Sequence, residues 1–199
     1  LAEKFGFFEK HMKVSKVYLE THRDSMDVPA EKLIAFRDFF ENKGIKASGA
    51  VTTTLPKSVK ATHFFDTTGG FASNAVSSSA IPGDSDPEEE TVTTWSTICY
   101  TDEDSRNKLQ KICEFTAKIF DEYILDDFYF TSCTCKKCIA AKGSLSWEQY
   151  RLALMTDVSE NVIIKPSKAV NPDVKVIIKY PNWYEAYQQT GYNTLTEPQ

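Results

Sequence analysis

The sequence predicts an α/β fold in which a parallel sheet is covered by helices on both faces. Three observations carry this expectation. Strand-like and helix-like segments alternate along the chain, the strand segments are continuous apolar runs, and no two of them are joined by a hairpin signal.

The elements follow in order. "SKVYLETHRD" (15–24) is rich in β-formers and ends in polar residues, as a buried strand emerging at a surface does. "DVPAEKLIAFRDFFENKG" reads as a helix: Asp27 or a neighbour can cap it, Pro29 sits near the first turn, Leu33, Phe36 and Phe40 repeat at helical spacing, and Gly44 stops it. "KASGAVTTT" (46–54) is a second strand whose small residues imply tight packing on both sides. From Leu55 to about Thr91 the pattern gives way to Gly, Ser, Thr, Pro and the acidic run "IPGDSDPEEE". An excursion of that length shapes a site or is partly disordered. "TVTTWSTICYTD" reads as a third strand, and "DEDSRNKLQKICEFTAKIF" as a helix with acids at its start and Leu109, Ile112, Cys113, Ile119 and Phe120 on one face. "YILDDFYF" is a fourth strand. "SWEQYRLALMTDVSENVII" is a helix opened by a Ser146–Gln149 capping box, with Tyr150, Leu154, Met155, Val158 and Val162 inward, and "VKVIIKYPNW" (174–183) is a fifth strand stopped by Pro181. Residues 1–199 thus read as a single β/α domain of about five strands.

Composition narrows the function. A net charge of −5 and a pI near 5.3, with lysines and arginines interspersed among acids, argue against a nucleic-acid partner. No apolar run approaches the length of a membrane span, and "LAEKFGFFEKHMK" lacks the apolar core of a signal peptide. The first βα turn, "ETHRDSMDVPAEK", has no G-x-G-x-x-G, and the chain has no Walker A lysine, so a nucleotide-binding sheet is not expected. Five cysteines, an odd number, exclude complete internal disulfide pairing.

At "YILDDFYF", an apolar strand closes on paired aspartates and is followed by "TSCTCKKC" and a capped helix. This pattern resembles the fourth strand of (β/α)8-barrel glycoside hydrolases and their uncharacterised bacterial relatives, some of which carry a C-x-C-x-x-C loop there. The resemblance implies the N-terminal part of a TIM-type barrel acting on carbohydrate, with a periplasmic or extracellular location. Specific motif support lies at about 123–138 and, more weakly, in "KYPNWYE". The Asn-Glu pair of many retaining barrels and the D-x-x-D-x-D-x-E string of chitinase-like enzymes are both absent.

In a parallel barrel the chemistry sits where strands end at their C-terminal side. Five clusters answer that description: Glu20, Thr21 and His22; Thr52 to Thr54; Tyr100 and Asp102; Asp126 and Asp127; and Tyr180, Asn182 and Trp183. Glycoside hydrolysis needs two carboxyl groups flanking the scissile bond, and Asp126 and Asp127 are the leading candidates for one of them. They cannot both be used, because neighbouring strand side chains point to opposite faces. Asp102, Glu20 and Glu185 are candidates for the second. Tyr180, Trp183, Tyr184 and Tyr187 offer rings for stacking on sugar, and His22 can bind substrate or be held structurally.

The carboxylate reading requires no cofactor. Cys133, Cys135 and Cys138 can share a structural zinc, with Cys99 or, less readily, His22 as the fourth ligand; a disulfide or simple packing are the alternatives. Two other functions compete with hydrolysis by carboxylates. One is a non-catalytic carbohydrate-binding module using the strand-end aromatics; the other is a metal-dependent hydrolase using the cysteine loop and His22.

Overall fold

The structure, a computed structural model, describes residues 2–23, 26–53, 98–126, 129–131 and 133–179. The 55–91 excursion, Asp127, Tyr180, Asn182 and Trp183 lie outside the described residues, as does most of the expected third strand.

The described elements are α1 (Ala2–His11), β1 (Lys16–Arg23), β2 (Met26–Asp27), α2 (Ala30–Glu41), β3 (Lys46–Val51), α3 (Glu103–Ile119), β4 (Glu122–Leu125), α4 (Lys136–Lys142), α5 (Trp147–Asp157), α6 (Lys165–Val170) and β5 (Lys175–Ile178). They form a mixed α/β fold around one five-stranded sheet of order β2-β1-β3-β4-β5. β1, β3, β4 and β5 are parallel and lie side by side in chain order, whereas the two-residue β2 is antiparallel to β1.

Local signals explain several boundaries. Gly44, in the turn that closes α2, takes φ +74°, a conformation that L side chains rarely adopt. The Ser146–Gln149 capping box opens α5 with both reciprocal bonds made. α5 then loosens into a π-helical stretch, Val158–Ile164, before α6. Pro166, the second residue of α6, has no amide hydrogen and so cannot close an ordinary helical bond.

Three expectations are corrected. The segment expected as a third strand does not separate the second from the fourth: β3 pairs directly with β4 through Gly49–Tyr123, Ala50–Ile124 and Val51–Leu125. Its described end instead makes one bond to the sheet's rim, from Ile98 N to Thr53 O, and turns into α3 through Asp102 N to Cys99 O. β4 and β5 are therefore the third and fourth parallel strands. Second, Asp27 does not cap α2. It forms a short hairpin with β1, paired to His22, and Pro29 takes the cap position without a side-chain bond.

Third, among the described residues α2, α3 and the helical stretch from α5 onward pack on one and the same face of the sheet. Ala47 packs with Leu33, Phe40, Ile119 and Phe120, and Val51 packs with Leu109, Cys113, Val158 and Ile163. α2 and α3 also meet directly, where Arg37 Nη1 donates to Ile119 O at 2.9 Å. The alternate positions, including Glu20 of β1, Ser48 of β3 and Glu122 of β4, point the other way. Lys16, Glu20, Ser48, Thr52, Glu122 and Asp126 put charged and hydroxyl groups at the two ends of that face, with Ala50 and Ile124 between them.

Gly49 is where α3 approaches the sheet. A Cβ there would lie 2.6 Å from Thr116 Cγ2, 3.0 Å from Phe120 Cδ2 and 3.1 Å from Tyr123 Cβ. Gly49→Ala is expected to destabilise the fold by roughly 1–3 kcal/mol through overpacking. Gly6→Ala in α1 meets nothing within 4 Å and is expected to be neutral or slightly stabilising. Urea midpoints of the two variants check the contrast.

Candidate functional site

The polar face has two ends. At the N-terminal end of the strands, Glu122 is buried and accepts from Lys16, from Lys46 Nζ at 3.2 Å and from Ser48 Oγ at 3.0 Å. Burial on its own raises a carboxyl pKa, but the hydrogen bonds from Lys16, Lys46 and Ser48 outweigh it and hold Glu122 down at about 2. This group braces β1, β3 and β4 at the end remote from the expected chemistry.

The C-terminal end carries a second constellation. Asp126 follows β4 and continues its ladder, with its amide donating to Val51 O at 3.2 Å. Thr52 follows β3 and is 1% exposed. Its hydroxyl lies 2.7 Å from Glu20 Oε1 and 2.8 Å from Asp126 Oδ2, so these two carboxyl oxygens are at most about 5.5 Å apart. β3 stands between β1 and β4, which places its threonine between the two acids. Arg23 Nε also donates to Glu20 Oε1 at 2.7 Å.

One hydroxyl bridging two acids has a chemical consequence. Thr52 owns one proton and otherwise accepts, so it can donate to only one carboxylate at a time. If both acids are ionised, one faces a lone pair.

The remaining candidates are placed elsewhere. His22 is buried on the hairpin, with Nδ1 2.6 Å from Asp27 Oδ1. Thr21 turns into the helical layer and bonds Thr116 Oγ1 at 2.8 Å and Ala50 O at 3.1 Å. Tyr100 is fully buried, donates to Thr53 Oγ1 at 3.2 Å and sits edge-on to Tyr129. Asp102 is the N-cap of α3, accepting from Ser105 N at 3.0 Å and Ser105 Oγ at 2.9 Å, and it pairs with Lys137. Bonds from Lys137 and Ser105 hold its carboxyl below the usual range.

The cysteine loop forms a separate cluster. Cys133, Cys135 and Cys138 converge on Cys99, and the four sulfurs lie within 4.8 Å of one another. Cys99 Sγ is 3.6 Å from Cys138 Sγ, 3.8 Å from Cys133 Sγ and 4.0 Å from Cys135 Sγ, far beyond a disulfide bond. His22 is not part of this group.

Alternation on β1 and β3 was a readable signal for the Glu20–Thr52 pairing, since both point away from the helices. It was obscured by the bulge between Glu20 and His22, which breaks the simple count of positions.

Comparison with known proteins adds a family. The model described as "Probable glycosyl hydrolase, catalytic domain" matches residues 1–199. The uncharacterized protein SSO3021 of Saccharolobus solfataricus is 27% identical over 212 residues, an alignment covering 96% of this chain and 30% of that protein. No solved structure matches the chain.

Proposed function

The chain belongs to the family of probable glycosyl hydrolase catalytic domains, and from that premise we propose that it contributes a carboxylate pair, Glu20 and Asp126, to glycoside hydrolysis. The observation that carries the reading is the single Thr52 hydroxyl held between the two acids at the C-terminal end of the strands. Asp126 donates its proton to the departing glycosidic oxygen. Glu20, held by a hydrogen bond from Arg23, attacks the anomeric carbon or draws the proton from water.

Separation favours attack by Glu20 itself. An upper bound near 5.5 Å agrees with the roughly 5–5.5 Å of retaining glycosidases, whereas inverting enzymes leave about 6.5–9.5 Å for a water molecule. Catalysis then proceeds in two displacements. The first breaks the glycosidic bond and leaves the sugar esterified to Glu20; in the second, Asp126, now a carboxylate, deprotonates the water that releases it.

A (β/α)8 barrel fits this reading. Four parallel strands in chain order, helices on one face and a polar opposite face together resemble an arc of such a barrel, with the acids at its mouth. The described residues supply four parallel strands of that arc. The chain spans about 30% of the length of the relative it matches.

The test is hydrolysis of a panel of aryl glycosides by the complete protein and its Glu20→Gln variant. The expected result is turnover of at least one glycoside by the wild type and a loss of about 10²-fold or more in kcat for the variant. An unchanged kcat would remove Glu20 from the chemistry. Saturable sugar binding with no turnover in the wild type would favour a carbohydrate-binding module instead.

A further inference from the structure

We infer that Cys99, Cys133, Cys135 and Cys138 form a closed tetrathiolate zinc site whose role is structural. The inference stands independently of the hydrolytic reading, since it uses none of the residues assigned to the chemistry.

Geometry carries it. A zinc ion with four sulfurs at about 2.3 Å in a tetrahedron puts the sulfurs about 3.8 Å from one another. The three separations from Cys99 are 3.6, 3.8 and 4.0 Å, and all six pairs fall within 4.8 Å. Two packed sulfurs can also touch at about this distance, so the informative feature is that four sulfur ligands from separate stretches of chain converge on one point; a disulfide would have drawn one pair to about 2.0 Å. Three of the four residues are buried and the fourth is half-buried.

The surroundings suit a cluster of negative charge. Four thiolates on one dication leave a net charge of −2, which is costly inside a protein unless it is met by donors and cations. Thr101 Oγ1 lies 3.0 Å from Cys138 Sγ and can donate to it. Arg151 is buried beside the group, with Nη2 3.4 Å from Cys133 O and its guanidinium 4.7 Å from the centre of the Trp147 ring.

The donor set makes the site structural. All four positions of a tetrahedral zinc are taken by sulfur, leaving no position open for water or substrate. What the ion fastens together is specific. Cys99 lies in the turn that leads into α3, Cys133 and Cys135 lie in the loop after β4, and Cys138 lies on α4. Tyr100 follows Cys99 and donates to Thr53, the neighbour of Thr52. Zinc thereby pins both arms of chain that leave the carboxylate end of β3 and β4.

Elemental analysis of the complete protein, purified without added metal or chelator, is expected to give about one zinc per chain. Replacement by cobalt is expected to give the intense visible bands of tetrahedral cobalt with sulfur-to-metal charge transfer, and Cys99→Ser to abolish both. Chelation is expected to lower Tm by on the order of 10 °C. The cobalt spectrum of the wild type is the deciding readout if the variant fails to fold. A metal-free wild type whose reduced thiols take up no cobalt overturns the inference, as does a disulfide between any two of the four. Cobalt bands of an octahedral, oxygen-ligated ion would equally contradict it.

Discussion

Asp126→Asn is expected to lower kcat/KM about 10³-fold on glycosides with poor leaving groups, and far less on those whose leaving group departs without a proton. The asymmetry follows from the proposed role. A general acid contributes roughly 10²–10⁴-fold when the leaving oxygen is basic, and little when the departing phenolate is already stable. Asparagine keeps the size of the side chain and a carbonyl oxygen that can still accept from Thr52, so the variant removes the proton while the local geometry is retained. Glu20→Gln differs in the same assay, because a lost nucleophile slows every substrate whatever its leaving group. A uniform loss across the series in Asp126→Asn would exchange the two roles. No loss on any member would remove Asp126 from the reaction.

Acid is expected to unfold the protein partly through Glu122. Its carboxyl sits at about 2 in the folded protein against an ordinary value of 4.5, so the folded state prefers the ionised form. Above about pH 4.5 the side chain is ionised in both states and its whole contribution is present. As pH falls toward 2 the unfolded chain takes up the proton first, and the contribution is lost. A shift of that size corresponds to on the order of 2–3 kcal/mol, allowing for the solvent that reaches Lys46. Glu122→Gln is accordingly expected to be less stable than wild type by that amount at pH 7, with the difference shrinking toward zero near pH 2. Urea denaturation of both proteins across that range checks it; a difference that does not vary with pH would show that packing, not ionisation, is what Glu122 supplies.

Local chemistry made part of the molecule readable from its sequence. Ser146 and Gln149 announce α5 because a capping box satisfies backbone groups within four residues, and Gly44 ends α2 because few other residues tolerate its backbone angles. Features set by tertiary contact were hidden. α1 owes its place to Phe5, which packs edge-on against Phe39 and Phe40 of α2, and nothing within α1 itself signals that partner. Phe36 repeats at the right spacing yet is exposed, since the face buried on the sheet is centred on Leu33 and Phe40. The segment around Cys99 has the composition of a strand, but the pairing of β3 with β4 leaves no room for one between them.

The site was legible to the same degree and for the same reason. Asp126 closes an apolar run, which marks a strand end in the sequence alone. That Glu20 lies across Thr52 from it depends on β1 and β4 flanking β3, so that a hydroxyl from the middle strand meets a carboxyl from each side. Cys99 joins the C-x-C-x-x-C loop across 34 residues of sequence for a comparable reason: α3 returns the chain so that the loop after β4 lies beside the turn before that helix.

Glu20 and Asp126 are proposed to work as one unit on one substrate. The measurement that reaches it most directly is kcat/KM of the complete protein for a glycoside with a poor leaving group, in wild type, Glu20→Gln, Asp126→Asn and the double variant. Groups that act together are strongly non-additive. The double variant is expected to fall little below the slower single variant; losses that multiply, or single variants as fast as wild type, would show that the two acids do not act together.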